Sequence, residues 1–212
     1  YKDDILDKTV DILSSSVGSL TNPKKIADTF VSQGIKEVSH KTISVYIGYL
    51  LDSFMITKAE RYDIKGRKHI STPSKYYFVD VGLRNARLNF RQVEQNHLME
   101  NIIYNELLMR GYNVDVGVVE QFSKDERGTT VKKQLEIDFV CNQGSKRYYI
   151  QSALNIDDEE KRTQELRPLL NVKDFFKKII IVKDDIVPWH NEEGVLIIGI
   201  KDFLLREDSL NI

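Results

Sequence analysis

A single cysteine, Cys141, stands in 212 residues, which excludes an intramolecular disulfide framework and fits a reducing compartment. An excess of one charge is missing as well. The formal net charge is −1, so there is no whole-chain pull toward nucleic acid or a membrane, and any such affinity must come from a local patch. The longest apolar runs, Lys178–Val182 and Val195–Ile200, are far too short to span a bilayer, and acids stand near the N-terminus where a signal peptide has an apolar run. No Gly-rich phosphate loop of the GxxxxGK(S/T) type occurs, so these residues should not hydrolyse a nucleotide by that route. Internal repeats and low-complexity segments are absent too. These absences leave a folded cytoplasmic protein, without a membrane partner, as the expectation.

What is present is a 41% hydrophobic content, enough to build one large core or two small ones. The chain opens at Tyr1 already inside an amphipathic pattern, with Ile5, Leu6, Val10, Leu13 and Val17 on one helical face, which predicts a piece of a longer protein. That first helix runs from Lys2 to Val17 and ends at Gly18. A second starts at Asn22-Pro23, a cap residue followed by proline at the first helical position, and stops at Gly34. Ser39 caps a third, whose Ile43, Ile47, Leu50, Leu51 and Phe54 form one stripe while His40, Lys41 and Ser44 lie at its exposed start. An extended run from Met55 to Tyr62, a basic loop over Lys65–His69 and a second run over Lys75–Val81 complete a winged helix, residues 1–88.

A polar stretch from Arg84 to Gln95, Arg-rich and helical enough to be a linker helix, marks the expected boundary, and residues 89–212 the second domain. A helix over Gln92–Arg110 precedes strands at Tyr112–Glu120, Lys132–Cys141 and Arg147–Leu154, with a turn over Ser123–Thr130. Strict alternation in the middle strand points Leu135, Ile137, Phe139 and Cys141 one way, Glu136 and Asp138 the other. Tyr149, Gln151 and Ala153 share a face of the next strand. A helix over Asp157–Leu170, two apolar strands at Lys178–Val182 and Val195–Ile200, and a last helix over Lys201–Arg206 complete an α/β/α domain with a mixed sheet. Trp189 and His190 fall in a loop, the tryptophan expected to cover a sheet end; Cys141 is expected in the core, and His97, one turn before Glu100, as a hydrogen-bonded residue at a domain junction.

Glu100 on the helix, Asp138 on one strand and Gln151 on the next resemble the metal site of the PD-(D/E)XK nuclease superfamily, whose restriction-endonuclease-like core has this element order. The resemblance implies carboxylates that hold a divalent ion such as Mg²⁺ and a lysine that stabilises developing negative charge during phosphodiester hydrolysis. This sequence departs from that pattern twice. Ala153 stands where the superfamily has lysine, and the amide of Gln151 where it usually has a second carboxylate, so ion affinity should fall. More closely, "SKYYFVDVGL", "HLMENIIYNELLMRGYNVDVG", "LEIDFVC" and "YYIQSALNIDDEEKRTQELRPLL" resemble the C-terminal region of a family of prokaryotic AAA+ ATPases, in which an ATPase domain precedes a winged helix and a nuclease-like domain of unknown function. The resemblance implies that ATP is bound only upstream of these residues.

Lys65, Arg67 and Lys68 in the wing, among a local excess that also counts Lys58, Arg61 and Lys75, suit phosphate contacts. His40, Lys41 and Ser44 offer none of the Arg, Asn or Gln contacts that specify bases, so binding without sequence specificity is expected. Three functions follow as expectations. The first is a degenerate, non-cutting module that binds nucleic-acid backbone or a protein partner for the upstream ATPase. The second is a metal-dependent DNA or RNA nuclease using Glu100, Asp138 and Gln151; the third is a protein-interaction or oligomerisation module.

Overall fold

The computed structural model describes residues 2–35, 38–91, 94–124 and 128–212. It forms two compact units, Tyr1–Glu60 with Ser71–Asn105 and Arg61–Ile70 with Glu106–Ile212. Among the described residues there are seven helices and eight strands, and the strands form one mixed sheet.

The first unit contains α1 (Lys2–Ser15), α2 (Pro23–Ser32), α3 (His40–Asp52), the base of a hairpin of β1 (Ile56–Asp63) and β2 (Lys68–Phe78), α4 (Val81–Arg87) and most of α5 (Gln95–Met109). Its helix starts follow from side chains. Asn22 Oδ1 accepts a hydrogen bond from the Lys25 amide at 2.8 Å, and Ser39 Oγ accepts one from the Thr42 amide at 3.1 Å. The apolar stripes bury Ile26, Ala27 and Phe30 on α2, and Ile43, Ile47 and Leu50 on α3. Helix α1 stops at Ser15 and not at Val17, after a run of serines whose hydroxyls bond back to the carbonyls of Val10 and Ile12.

Two further differences from the sequence reading have local causes. Strand β2 begins at Lys68, because Asp63 Oδ1 takes the Gly66 amide at 2.9 Å and closes a short turn, so Lys68 and His69 are strand residues. A Cβ on Gly66 would lie 2.3 Å from Asp63 Oδ2, so a side chain there would push that carboxylate out of the turn. The polar run after Arg84 also packs into the first unit. Arg84 is buried, with its Nε donating to the Ser14 carbonyl at 2.8 Å, and Arg87 Nε donates to Asp11 Oδ1 at 3.0 Å. The expected boundary at 88/89 therefore lies inside the first unit.

The second unit contains the hairpin tip, the end of α5, β3 (Asn113–Lys124), β4 (Thr130–Gln143), β5 (Lys146–Ala153), α6 (Glu159–Asn171), β6 (Lys177–Val182), β7 (Trp189–His190), β8 (Leu196–Gly199) and α7 (Ile200–Leu205). Strand order in the sheet is β2-β1-β3-β4-β5-β6-β8-β7. Strands β3, β4 and β5 are antiparallel, whereas β5, β6 and β8 are parallel, and the apolar runs of β6 and β8 are buried as parallel strands require. Helix α6 lies against β3, β4 and β5 over a core that includes Ile137, Val140, Tyr149, Leu169, Ile180 and Ile197.

Strict alternation along β4 is not observed. Against β3 the register passes from Asp115↔Val140 to Gly117↔Ile137, so Asp138 and Phe139 together face the single residue Val116. This bulge brings Ile137 and Val140 into one core cluster although they are three residues apart. Gly117 is required beside it, because a Cβ there would approach Val140 Cγ2 to 2.8 Å and Ile137 Cβ to 2.9 Å. Trp189 and His190 form a short edge strand on β8 and not a loop, and Trp189 is 43% exposed. No described helix is long and apolar enough to cross a membrane.

Candidate functional site

Asp138 sits where two irregularities meet. On one side it is part of the β4 bulge; on the other, the β4–β5 ladder ends at Phe139↔Ile150, one step short of it. Past that point the strands are joined by side chains. Gln151 Oε1 accepts the Asp138 amide at 2.8 Å, and Asp138 Oδ2 accepts the Ser152 amide at 2.9 Å. These two bonds replace the missing ladder, so neither backbone donor is left without an acceptor as the strands separate.

The third member comes from α6. Gln151 Nε2 donates to Glu165 Oε2 at 3.1 Å, and Gln151 itself is 5% exposed. Asp158 starts the helix by accepting the Glu160 amide at 2.9 Å, and the buried Leu166 and Leu169 fix its rotation. Burial, followed by the charge of Asp138, raises the Glu165 carboxyl to about pH 7, partly opposed by the hydrogen bond from Gln151. Glu165 was not among the residues singled out from the sequence. Its signal was the four-residue spacing to the core residue Leu169, hidden by the charges of Glu159, Glu160, Lys161 and Arg162 at the start of the same helix.

The residues expected to form one site have different surroundings. Asp138 and Gln151 are joined directly in the second unit. Glu100 belongs to the first, where its Oε1 accepts from Lys75 Nζ at 2.9 Å and from the Tyr77 hydroxyl at 2.7 Å. Lys75, counted from the sequence among the surface cations of the wing, is instead buried, with 4% of its side chain exposed. The neighbouring Asn101 is buried as well and acts like a strand, accepting the Phe78 amide and donating to the Phe78 carbonyl. Ala153, which the sequence resemblance sets against a lysine, is 5% exposed within the core under α6.

His40, Lys41 and Ser44 are exposed at the start of α3, and Lys65, Arg67 and Lys68 are exposed at the hairpin tip, which belongs to the second unit. His97 Nε2 lies 3.3 Å from Glu94 Oε2. Cys141 is wholly buried, and burial pushes its thiol well up from its ordinary range, as expected of a core residue.

A hard divalent ion fits the fork poorly. The Gln151 oxygen that would bind it is taken by the Asp138 amide. Among the described residues, no group of three or more His, Cys, Asp or Glu side chains is placed to hold a metal ion.

Residues 95–203, more than half of the chain, match the family described as Domain of unknown function (DUF4143). The chain belongs to that family. Asp138, Gln151 and Glu165 all lie in its DUF4143 portion, as does Glu100, whereas Lys75 and Tyr77 lie in residues 2–94, which match a second Domain of unknown function (DUF8612). An uncharacterised protein of Haemophilus influenzae is 35% identical over 202 residues, covering 95% of this chain and 46% of that protein. The chain thus spans about half the length of the curated relative it matches. The crystal structure of protein VC1899 from Vibrio cholerae is similar over 98% of this chain and 55% of that one, at 10% identity and a TM-score of 0.33, too low to carry an argument.

Proposed function

We propose that this chain is the C-terminal module of a cytoplasmic AAA+ ATPase, a winged helix joined to a nuclease-like core that binds nucleic-acid backbone and does not cut it. In this reading the ATPase upstream does the work and this half selects what it works on. The observation that carries it is the use of Gln151. Its carbonyl end closes the fork on Asp138 and its amide end holds Glu165, so the residue that would coordinate a catalytic ion acts as a clamp. Burial of Ala153 in the core supports the same reading, since no cation stands at the position that would stabilise a leaving group.

The test is incubation of the chain with labelled single-stranded, duplex and branched DNA and RNA in Mg²⁺, Mn²⁺ or EDTA, scoring binding and cleavage beside Asp138→Ala. Binding that weakens steeply with salt, without cleavage, is expected. Metal-dependent cleavage lost in Asp138→Ala would establish a nuclease and overturn the proposal. Absence of binding at low salt would overturn it in favour of a protein partner.

A further inference from the structure

In the second unit, three chain segments bring cations and phenyl rings together. The β1–β2 turn supplies Lys65 and Arg67, the start of β5 supplies Lys146 and Arg147, and the segment after α6 supplies Lys173, Phe175 and Phe176. Two adjoining cavities of about 320 and about 340 Å³ lie among them and share Arg67, Arg147 and Phe176 as walls. The Arg147 guanidinium is 5.3 Å from the centre of the Phe176 ring and 5.5 Å from that of Tyr62. Lys65 Nζ is 5.9 Å from the centre of the Phe122 ring.

The acids that line the cavity of about 320 Å³, Glu120 and Asp174, are already engaged. Glu120 pairs with Lys132, and Asp174 accepts the Tyr149 hydroxyl at 2.6 Å. The neutral hydroxyl leaves the charge of Asp174 in place, but the five lining cations Lys65, Arg67, Lys146, Arg147 and Lys173 outnumber the two acids, so the walls carry an excess of positive charge. Exposed phenyl rings accompany these cations: Phe176, 41% exposed, lines both cavities, Phe122, 56% exposed, lies beside Lys65, and Phe175, fully exposed, precedes Phe176 in the chain. Exposed phenyl rings next to exposed cations are poorly explained by the core, which gains nothing from them.

We infer that this groove binds single-stranded nucleic acid, with phosphates on Lys65, Arg67, Lys146 and Lys173 and bases stacked on the exposed phenyl rings. Backbone cations with interleaved aromatic faces suit a single strand, whereas a duplex hides its base faces in the stack. The inference rests on the reading of this chain as a nucleic-acid-binding module, and it moves the contact from the α3 face to the groove of the second unit.

The experiment measures fluorescence anisotropy of the whole chain with labelled dT20, rU20 and a duplex of the same length over a salt series, with 2-aminopurine strands reporting stacking and poly-glutamate as competitor. The variants are Lys146→Glu/Lys173→Glu, Phe176→Ala and, on α3, Lys41→Glu. Single strands should bind more tightly than duplex. The charge pair should lose at least about tenfold in affinity and about 1.4 from the log–log salt slope. Phe176→Ala should lose at least about fivefold and relieve 2-aminopurine quenching with its slope unchanged. Lys41→Glu should bind like the parent chain.

If Lys41→Glu abolishes binding while the groove variants do not weaken it, the groove is wrong and the wider reading stands. Failure of the parent chain to bind any nucleic acid at low salt sinks both. Displacement of the strand by poly-glutamate at equal charge concentration, or a preference for duplex with Phe176→Ala silent, would overturn the single-strand assignment.

Discussion

An amide at position 151 does what a carboxylate there cannot. Its oxygen accepts the Asp138 amide while its nitrogen donates to Glu165; a glutamate would place a third acid beside two others with nothing to donate. Burial, and after it the nearby charge of Asp138, raise the pKa of Glu165. Its folded value of about 7 stands above the ordinary 4.5, so the folded state keeps a proton that the unfolded state releases. The corresponding stability is fully present below about pH 4.5 and is lost as the pH rises through about 7. Denaturation midpoints at pH 5 and pH 8 should thus differ less in Glu165→Gln than in the parent chain, and an equal drop in both would show that Glu165 does not carry the effect. Glu100 offers a contrasting case. Because it neutralises the buried Lys75, Glu100→Ala should cost about 3–5 kcal/mol in chemical denaturation. Much of that loss should disappear in the double variant Lys75→Met/Glu100→Leu, an outcome a purely metal-binding glutamate would not give.

Elements differ in how openly the sequence announces them, and the reasons are local. Helices α2 and α3 are legible because Asn22-Pro23 and Ser39 mark their starts and their apolar stripes face one core. Strands β6 and β8 are legible as unbroken apolar runs between covered faces. The face of Gln151 is legible too, since β5 alternates regularly and Tyr149 and Ala153 both enter the core beneath α6. The face of Asp138 is not, because one extra residue in β4 interrupts the period of two, and nothing in a single strand's sequence says where its partner skips a step. The packing of helix α4 was hidden for another reason. Its contacts to α1 are made by Arg84 and Arg87, which a hydrophobic pattern counts as solvent-facing.

Over the whole molecule, the net charge of −1 averages away the feature that matters most for binding. Lys65, Arg67, Lys146 and Lys173 are spread over more than a hundred positions in sequence and share cavity walls only because a hairpin tip and two distant loops belong to one unit. Such a patch acts within about a Debye length, so its pull is local and salt-sensitive whatever the total. Sequence order also misleads about where the chain can be divided. It passes from one unit to the other at 60/61, 70/71 and 105/106, and the Arg61–Asp63 stretch of β1 pairs in parallel with Val116–Val118 of β3.

A fragment beginning at residue 95, where the DUF4143 match starts, would therefore lose the neighbour of an apolar strand in which Val116 and Val118 are buried. An unpaired strand edge of that kind is sticky, so the fragment should elute in size-exclusion chromatography as larger species than the whole chain gives under the same conditions. Elution of both as particles in proportion to their lengths would count against this. The same wiring bears on how such a protein can be passed between genes. A crossover near residue 94 hands on the second unit without its ten-residue segment Arg61–Ile70 from upstream, so the two units are expected to travel through recombination as one piece.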